Sequence, residues 1–413
     1  MNTVLFAIVL AAADSPAGPL SPADSVKTFR LADPNLVVEL VASEPQVVAP
    51  VAMAWDAAGR IYVVEMSDYP LGPVGGKVKL LKDRDAAGVY HSAVEFANGL
   101  PFPTSALPIE DGLLVAAAPD LWFFKDADGD GKAEIKRRVA GGFAEGNQQL
   151  RVNGLTYGLD GWIYGANGRS GGTIKREGAA LAVPIPRHDF RFRWRGGPVE
   201  ALAGMSQFGL AFDDGGERFL SWNTAPFRHA VFEESLLARN PHLPSASTIA
   251  SVADPADSGR LYPIAARPTT FNRESVEFFN ASCGNAIYRD DLLGAGYAGN
   301  MFVCEPLLNL IHRRRLESSG TTFIARRADA GKEFLAAADP WFHPVNVATG
   351  PDGCLYVADF YRQWVEHPQF VPEKLRGSVD WRTGAGHGRI WRIRRKDSPP
   401  REVASLAETA GVG

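Results

Sequence analysis

Side chains that could bind or transform a ligand recur along this 413-residue chain, each group next to a run of apolar residues. Carboxylates and imidazoles exchange protons with substrates, guanidinium groups bind anions, and amides orient hydroxyl groups. The catalytic candidates are Glu65, Arg151, Glu305, His343 and Asp359. The ligand-binding candidates are Asp68, Tyr69, Asn153, Asn167, Arg169, Gln207, Asn223, Arg228, Tyr361, Arg362 and His367. We expect one site where these segments meet.

The densest group lies in residues 358–370, ADFYRQWVEHPQF. Its carboxylates and imidazole, beside Arg362, could serve as acid, base and anion anchor, or as metal ligands. The same residues also suit a short helix capped by Asp359, with an ion pair between Arg362 and Glu366 at i, i+4. Both interpretations remain open from the sequence.

The elements that must position these residues are six copies of a paired-strand unit. In the clearest copy, residues 344–359, apolar residues alternate on both sides of a Pro-Asp-Gly turn. A strand repeat with a period of about 50 residues predicts a β-propeller. The earlier copies are residues 49–65, 103–118, 152–167, 207–223 and 283–305.

We therefore predict an all-β, six-bladed propeller over residues 35–396. The last copy is followed by one strand only, so the N-terminal residues 35–42 are expected to close the ring and remove an exposed edge. Residues 172–178 and 181–187 are expected as the outer strands of the third blade. Two long insertions, residues 230–277 and 361–386, are expected on the same face as the site.

The flanking segments predict an exported protein. Residues 1–13 are apolar and end in small residues, as in a signal peptide, and no other segment is long enough to span a bilayer. Residues 14–34 are expected to be a linker and residues 397–413 a polar tail. The mature chain would then be periplasmic or associated with the cell envelope. The net charge of −4 gives no support for a nucleic-acid partner.

The cysteines fit that compartment. Cys283 opens the first strand of a predicted antiparallel pair and Cys304 closes the second, so the two lie opposite each other and are expected to form a disulfide. Cys354 then has no predicted disulfide partner. The chain has no Cys-x-x-Cys-His motif and therefore no attachment site for covalent haem.

A separate acidic loop could bind calcium. Asp126, Asp128 and Asp130 alternate before Gly131, a pattern that suits Ca²⁺, although Arg137 stands where an EF-hand has its last glutamate. The loop falls in an outer hairpin of the second blade, so the calcium would be structural. A hairpin turn without metal explains the same residues.

Several motifs resemble one protein family. They are EGNQQLRVNGLTYGLDGWIYGANG (145–168), GMSQFGLAFDD (204–214), RNPHL (239–243), GNMFVCEPLLNLIHR (299–313) and ATGPDGCLYVADFYRQWVEHPQF (348–370). They are similar to the N-terminal domain of the membrane-bound dehydrogenase-like proteins of Planctomycetes and Verrucomicrobia. That family in turn resembles six-bladed glucose and sorbosone dehydrogenases, which hold pyrroloquinoline quinone (PQQ) and Ca²⁺ at the propeller mouth. The resemblance implies an oxidoreductase with a cytochrome as electron acceptor.

The chain departs from that pattern at the positions that contact PQQ. Where such dehydrogenases place a histidine base, this chain has Leu150, Arg151 and Asn153, and His343 is the basic residue that remains before the sixth blade. Three functions therefore stay open. They are a sugar or alcohol dehydrogenase, a cofactor-independent carbohydrate hydrolase or lyase, and a propeller that only binds a glycan or a protein.

Overall fold

The computed structural model describes residues 18–406, except residues 241, 243–246, 267, 273 and 404. It is an all-β, six-bladed β-propeller, as predicted. Each blade is an antiparallel sheet whose first strand borders the central channel. The expected signal peptide, residues 1–13, lies outside the described residues.

Blades 1, 3 and 4 each consist of four strands in sequence order, and blade 2 begins with four such strands and carries two more at its outer edge. Blade 1 consists of Pro50–Trp55, Ile61–Glu65, Gly76–Arg84 and Tyr90–Leu100. Blade 2 begins with Ser105–Ile109, Gly112–Ala117, Asp120–Lys125 and Ile135–Phe143. Blade 3 consists of Asn153–Tyr157, Ile163–Ala166, Asp189–Arg193 and Gly196–Leu202. Blade 4 consists of Leu210–Phe212, Arg218–Leu220, Arg228–Ala230 and Ile249–Ser251.

The last two blades take strands from the N-terminus. Blade 5 contains Cys283–Ile287, Asn300–Glu305, Leu310–Ser319, Thr322–Arg327, Leu335–Ala337 and Phe29–Leu31. Blade 6 contains Pro344–Thr349, Leu355–Asp359, Arg389–Arg395 and Leu36–Ser43. The pairing of Leu36 with Arg395 and of Ser43 with Arg389 closes the ring as expected.

Helices are confined to single turns between strands. The α-helical turns are Pro22–Ser25, Glu234–Leu237 and Glu373–Arg376. The 3₁₀ turns are Val26–Thr28, Gln148–Leu150, Pro306–Leu308 and Pro368–Phe370. No helix in the described part of the chain is long and apolar enough to cross a bilayer.

The repeated turn has the same side-chain support in different blades. Asp352 caps the turn of blade 6, and its carboxylate accepts a 2.8 Å hydrogen bond from the Tyr356 hydroxyl four residues later. Asp160 and Tyr164 form the same 2.8 Å bond in blade 3. The aspartate satisfies the turn amides while the tyrosine packs between strands, which explains why this spacing recurs.

Two expectations about the outer strands need correction. The segments expected in blade 3 form Gly172–Arg176 and Val183–Pro184, which extend blade 2. Gly172–Arg176 pairs with Ile135–Phe143, and Val183–Pro184 pairs with Gly172–Arg176. Alternation alone does not reveal which open sheet edge a strand joins. The expected linker, residues 14–34, includes Phe29–Leu31, which pairs with Leu335–Ala337.

The boundaries of the two insertions also differ slightly from the predicted ones. Residues 230–277 include Ile249–Ser251, the last strand of blade 4. The connection that follows it, residues 252–282, is named insertion A and contains one isolated β-bridge, between Ala253 and Ala325. The other insertion, residues 360–388, joins the second and third strands of blade 6 and is named insertion B. A connection from a second to a third strand leaves the ring on the same face as a connection between blades, which agrees with the prediction.

The pairing register places Cys283 opposite Cys304, but no disulfide joins them. Both are buried free thiols, as is Cys354. Their burial raises the pKa of each thiol above its usual value.

Candidate functional site

Most of the predicted strand-end carboxylates hold the ring together. Glu65 accepts a 2.8 Å hydrogen bond from the backbone N–H of Val48 and pairs with Lys79 Nζ at 3.1 Å. Glu305 accepts bonds from the backbone N–H groups of Asn280 and Ala281, both at 3.1 Å. Each carboxylate thereby accepts hydrogen bonds from backbone N–H groups of the loop that enters the inner strand.

Asp359 is the most heavily used of these carboxylates. Its Oδ1 accepts from the backbone N–H groups of His343 and Tyr361 at 2.9 and 3.1 Å, and its Oδ2 accepts from Trp391 Nε1 at 3.0 Å. Asp189, which the sequence analysis missed, does the same in blade 3 for Asn167 and Ser206. Burial raises the pKa of Asp359 and Glu65 to about 7 and that of Glu305 to about 8.

Two further polar candidates have similar structural roles. Asp68 Oδ2 accepts a 2.9 Å hydrogen bond from the backbone N–H of Phe102. Asn167 donates to the backbone carbonyls of Ile185 and His188, and its Oδ1 accepts from the Arg169 N–H. These side chains order the loops around the mouth without lining the cavity there.

The other basic and aromatic candidates are also engaged. Arg362 is fully buried and donates a 2.6 Å hydrogen bond to the Tyr69 carbonyl. The His343 ring bonds to the Pro306 carbonyl, and the Tyr361 hydroxyl bonds to the Asp339 carboxylate. Arg228 reaches the Met205 carbonyl at 3.4 Å. None of these four candidates lines the mouth cavity described below.

His367 is held in its neutral form. Its Nδ1 accepts a 3.1 Å hydrogen bond from the Gln369 N–H, so its Nε2 is the atom that donates to Gln148 Oε1 at 2.8 Å. Burial lowers the pKa of His367 to about 4. With both nitrogens engaged, His367 fixes insertion B to the Gln148–Leu150 turn. Of the two interpretations of this segment, the capped helix is wrong, because residues 361–367 form no helix and Arg362 and Glu366 form no ion pair.

A cavity of about 480 Å³ lies at the mouth of the channel. Apolar side chains such as Phe208, Phe360 and Val365 form much of its wall. Six predicted residues come together there: Tyr69, Arg151, Asn153, Arg169, Gln207 and Asn223. An apolar pocket with a few convergent polar groups is the usual form of a small-molecule site.

Three more polar residues line the cavity. Gln149 and Glu274 were not predicted for the site, whereas Glu366 belongs to the 358–370 segment whose carboxylates were considered as acid or base. Gln149 lies on the turn before blade 3, Glu274 belongs to insertion A, and Glu366 belongs to insertion B. The unusual length of the insertions was the sequence signal for their importance, but no repeat position pointed to Glu274. Burial and the nearby charge of Glu274 raise the pKa of Glu366 to about 7.

Arg151 is the unusual group of this wall. Its side chain is 5% exposed, and its Nε and Nη1 atoms have no hydrogen-bond partner. The guanidinium carbon lies 4.9 Å from the centre of the Phe102 ring. Burial lowers its pKa, and the neighbouring charges of Glu145 and Asp68 offset only part of that effect. A buried guanidinium with unused donors is a strong anchor for an anion.

Insertions A and B form a canopy over the cavity. Phe271 of insertion A packs at 5.6 Å from Trp364 and 5.3 Å from Trp381 of insertion B, measured between ring centres. Gln149 Nε2 donates to the Tyr69 hydroxyl at 2.8 Å and to the Val365 carbonyl at 3.1 Å, which ties insertion B to the wall.

The acidic loop lies apart from the cavity, in the hairpin between the last two strands of blade 2. Asp126, Asp128 and Asp130 are joined by Glu134, and one oxygen from each lies within 4.8 Å of the others. Glu134 was not predicted as a ligand. Four carboxylates at this separation could hold Ca²⁺, which prefers several oxygen ligands.

The cavity wall does not match PQQ, which carries three carboxylates. It presents two guanidinium groups, those of Arg151 and Arg169, together with the carboxyl groups of Glu274 and Glu366. Within the described chain, none of the residues lining this cavity is a histidine. The donor set suits a ligand with one negative charge, because the glutamates repel a polyanion.

Solved structures similar to this chain cover most of its length. A candidate oxidoreductase (glucose dehydrogenase) from Thermus thermophilus is 16% identical, with a TM-score of 0.50 over 87% of this chain and 99% of that one. A luciferin-regenerating enzyme is 13% identical, with a TM-score of 0.48 over 89% and 98%. The PQQ-bound aldose sugar dehydrogenase of Streptomyces coelicolor is 14% identical, with a TM-score of 0.45 over 87% and 98%. At these identities the likeness concerns the fold alone.

Sequence comparison gives a family without an assigned activity. No curated protein matches the chain. A family model described as "Domain of unknown function (DUF7133)" matches residues 21–397, which is nearly the whole propeller. The chain therefore belongs to the DUF7133 family.

Proposed function

We propose that this chain is an exported, dehydrogenase-like enzyme that binds a sugar or related alcohol in the mouth cavity. The observation that carries the proposal is the composition of the cavity, with an apolar wall, the amides of Gln149 and Asn223, and a carboxyl group, Glu366, whose pKa is about 7. Such a carboxyl group can accept a hydroxyl proton near neutral pH.

The family resemblance supports oxidation as the reaction. Oxidising an alcohol removes two electrons and two protons, so an electron acceptor is needed, such as a quinone or a cytochrome. Because the wall does not match PQQ, we expect an acceptor with fewer negative charges. In this scheme Arg151 binds an anionic group, and Glu366 holds the hydroxyl proton.

The test is sugar-dependent reduction of an acceptor dye. Purified protein would be assayed with neutral and acidic sugars, with simple quinones or with PQQ plus Ca²⁺. Reduction that requires the sugar and is lost in Glu366→Gln supports the proposal. If no acceptor is reduced under any of these conditions, the protein is not a dehydrogenase.

A second candidate function is cofactor-independent cleavage of a glycan. Glu274 and Glu366 both line the cavity. Most glycosidases hydrolyse their substrate with two such carboxyl groups, which flank the scissile bond. Release of new sugar ends without any acceptor would select this function. Binding without turnover would indicate a glycan-binding propeller.

Export is part of the proposal because of the apolar run at residues 1–13. Expression of the full chain in a Gram-negative host, followed by cell fractionation and N-terminal sequencing, tests it. A mature protein in the periplasm that starts near residue 14 is expected. Uncleaved protein confined to the cytoplasm would contradict export.

A further inference from the structure

We infer that the ligand of the mouth cavity is an acidic sugar, such as a uronic or aldonic acid, whose carboxylate binds Arg151. The inference rests on the proposed function, because it names the class of sugar that the same cavity takes. The anion bound in the cavity would then be a substrate with a single negative charge, in place of the polyanionic cofactor that the family resemblance implies.

The other buried arginines of the protein bind carboxylates or a carbonyl group. Arg218 pairs with Asp189, Arg314 with Asp257, Arg389 with Glu44 and Arg392 with Glu39. Arg362 donates to the Tyr69 carbonyl. Proteins rarely leave a buried charge without such a partner. Arg362, Arg389 and Arg392 also have nitrogen atoms without a hydrogen-bond partner, but each of them donates through another nitrogen. Arg151 is 5% exposed, and within the described part of the chain its guanidinium forms no hydrogen bond or ion pair with the protein.

The position of Arg151 in the fold also favours binding of an anion. It directly follows the Gln148–Leu150 turn and precedes the first strand of blade 3, and its residue lines the cavity. Asn153 fixes this segment by donating to the Arg151 carbonyl at 2.9 Å and to the Gln207 carbonyl at 2.8 Å. The backbone that carries the guanidinium is therefore held before a ligand arrives, which favours binding.

The charges around the cavity favour a ligand with a single carboxylate. Arg169 also borders the cavity, but it is exposed and stacks on Trp222 at 4.9 Å, so water already satisfies its charge. Glu274 and Glu366 oppose a second or third negative charge on the ligand. The apolar wall suits the face of a sugar ring, and the Asn223 amide can meet its hydroxyl groups.

The experiment is isothermal titration of the full chain with glucuronate and with glucose, which differ by the carboxylate. We expect glucuronate to bind about 10- to 100-fold more tightly, as a charge-assisted hydrogen bond predicts. In Arg151→Met this preference should disappear. Arg169→Met is the matched control, and it should keep most of the preference.

The outcomes separate this inference from the proposed function. If wild-type protein binds both sugars equally, the inference is wrong while the sugar site stands. If neither these sugars nor neutral and acidic oligosaccharides bind, the proposed function fails as well. Circular dichroism and thermal unfolding show whether Arg151→Met is folded, and the comparison of two sugars on wild-type protein decides the question even if it is not.

Discussion

Glu366 is the residue whose protonation matters most for the proposed chemistry. Its carboxyl group faces the cavity from insertion B, and burial together with the charge of Glu274 raises its pKa to about 7. A general base with such a pKa is half ionised under neutral conditions, which is close to the optimum for proton transfer. Glu366 receives one backbone hydrogen bond, from His367, whereas Asp359 accepts from two backbone N–H groups and from Trp391 Nε1 and lies outside the cavity wall.

Replacing Glu366 by Gln should lower turnover by about 100- to 10,000-fold, the usual loss when a general base is removed. The wild-type rate should rise as pH passes about 7, because only the ionised carboxylate accepts a proton. Glu274→Gln should move that rise to lower pH, since it removes a neighbouring negative charge. A pH–rate profile of the three proteins checks this, and an unchanged profile in Glu366→Gln would exclude the role.

The same carboxyl group gives a prediction about stability that needs no known substrate. A carboxyl pKa that rises on folding makes the folded state lose stability as pH increases from about 4.5 to 7. Glu366→Gln should therefore be more stable than wild type at pH 8, by about 1 kcal/mol, and equal to it near pH 4. Urea unfolding at both pH values measures the difference. A stabilisation that does not depend on pH would contradict the raised pKa.

At the scale of single elements, the strand ends show why the polar repeat positions were overinterpreted. A carboxylate at the end of a second strand can face a ligand or accept backbone N–H groups of the loop that enters the first strand of its blade. Glu65, Glu305 and Asp359 all do the latter. The choice depends on distances between segments far apart in the chain, which local sequence does not contain. The strands themselves were predictable because their alternation and turn residues are local.

Asp359→Ala should destabilise the fold by about 3 kcal/mol, because it leaves three buried donors without an acceptor. Asp397→Ala is the control, since that aspartate is exposed and forms its ion pair with Arg395 at the surface. Urea unfolding of both variants measures the cost. A loss below about 0.5 kcal/mol, the usual scale for a surface substitution, would show that these bonds do not brace blade 6.

The acidic hairpin of blade 2 gives an independent prediction. If Asp126, Asp128, Asp130 and Glu134 bind Ca²⁺, calcium at 100 times its dissociation constant should stabilise the fold by about 2.7 kcal/mol. Asp128→Asn should remove most of this effect. Thermal unfolding with Ca²⁺, with Mg²⁺ and with chelator provides the test. An unfolding temperature that does not respond to calcium would indicate a simple turn.

At the scale of the whole molecule, stability depends on closure of the ring by the N-terminal strand Leu36–Ser43. Val41 on this strand is fully buried and belongs to a core cluster with Ile390 and Tyr356 of blade 6. This closure was predictable because the last repeat lacked one strand. The second N-terminal strand, Phe29–Leu31, was not, since three residues carry no periodic signal.

Val41→Asp should open the ring by placing an unpaired charge in that cluster, at a cost of at least about 3 kcal/mol. Val74→Asp, at a position that is 60% exposed, is the matched control and should be neutral. Thermal unfolding and light scattering detect both the loss of stability and association through the exposed edge. Equal stability of the two variants would mean that the N-terminal strand is dispensable.

The most direct test of the account as a whole is a crystal structure of the protein with glucuronate. We predict electron density for the sugar in the mouth cavity, with its carboxylate within hydrogen-bond distance of the Arg151 guanidinium and its ring against the apolar wall. A cavity that holds only water, with the Arg151 guanidinium turned to the free oxygen of Asp68, would contradict the account.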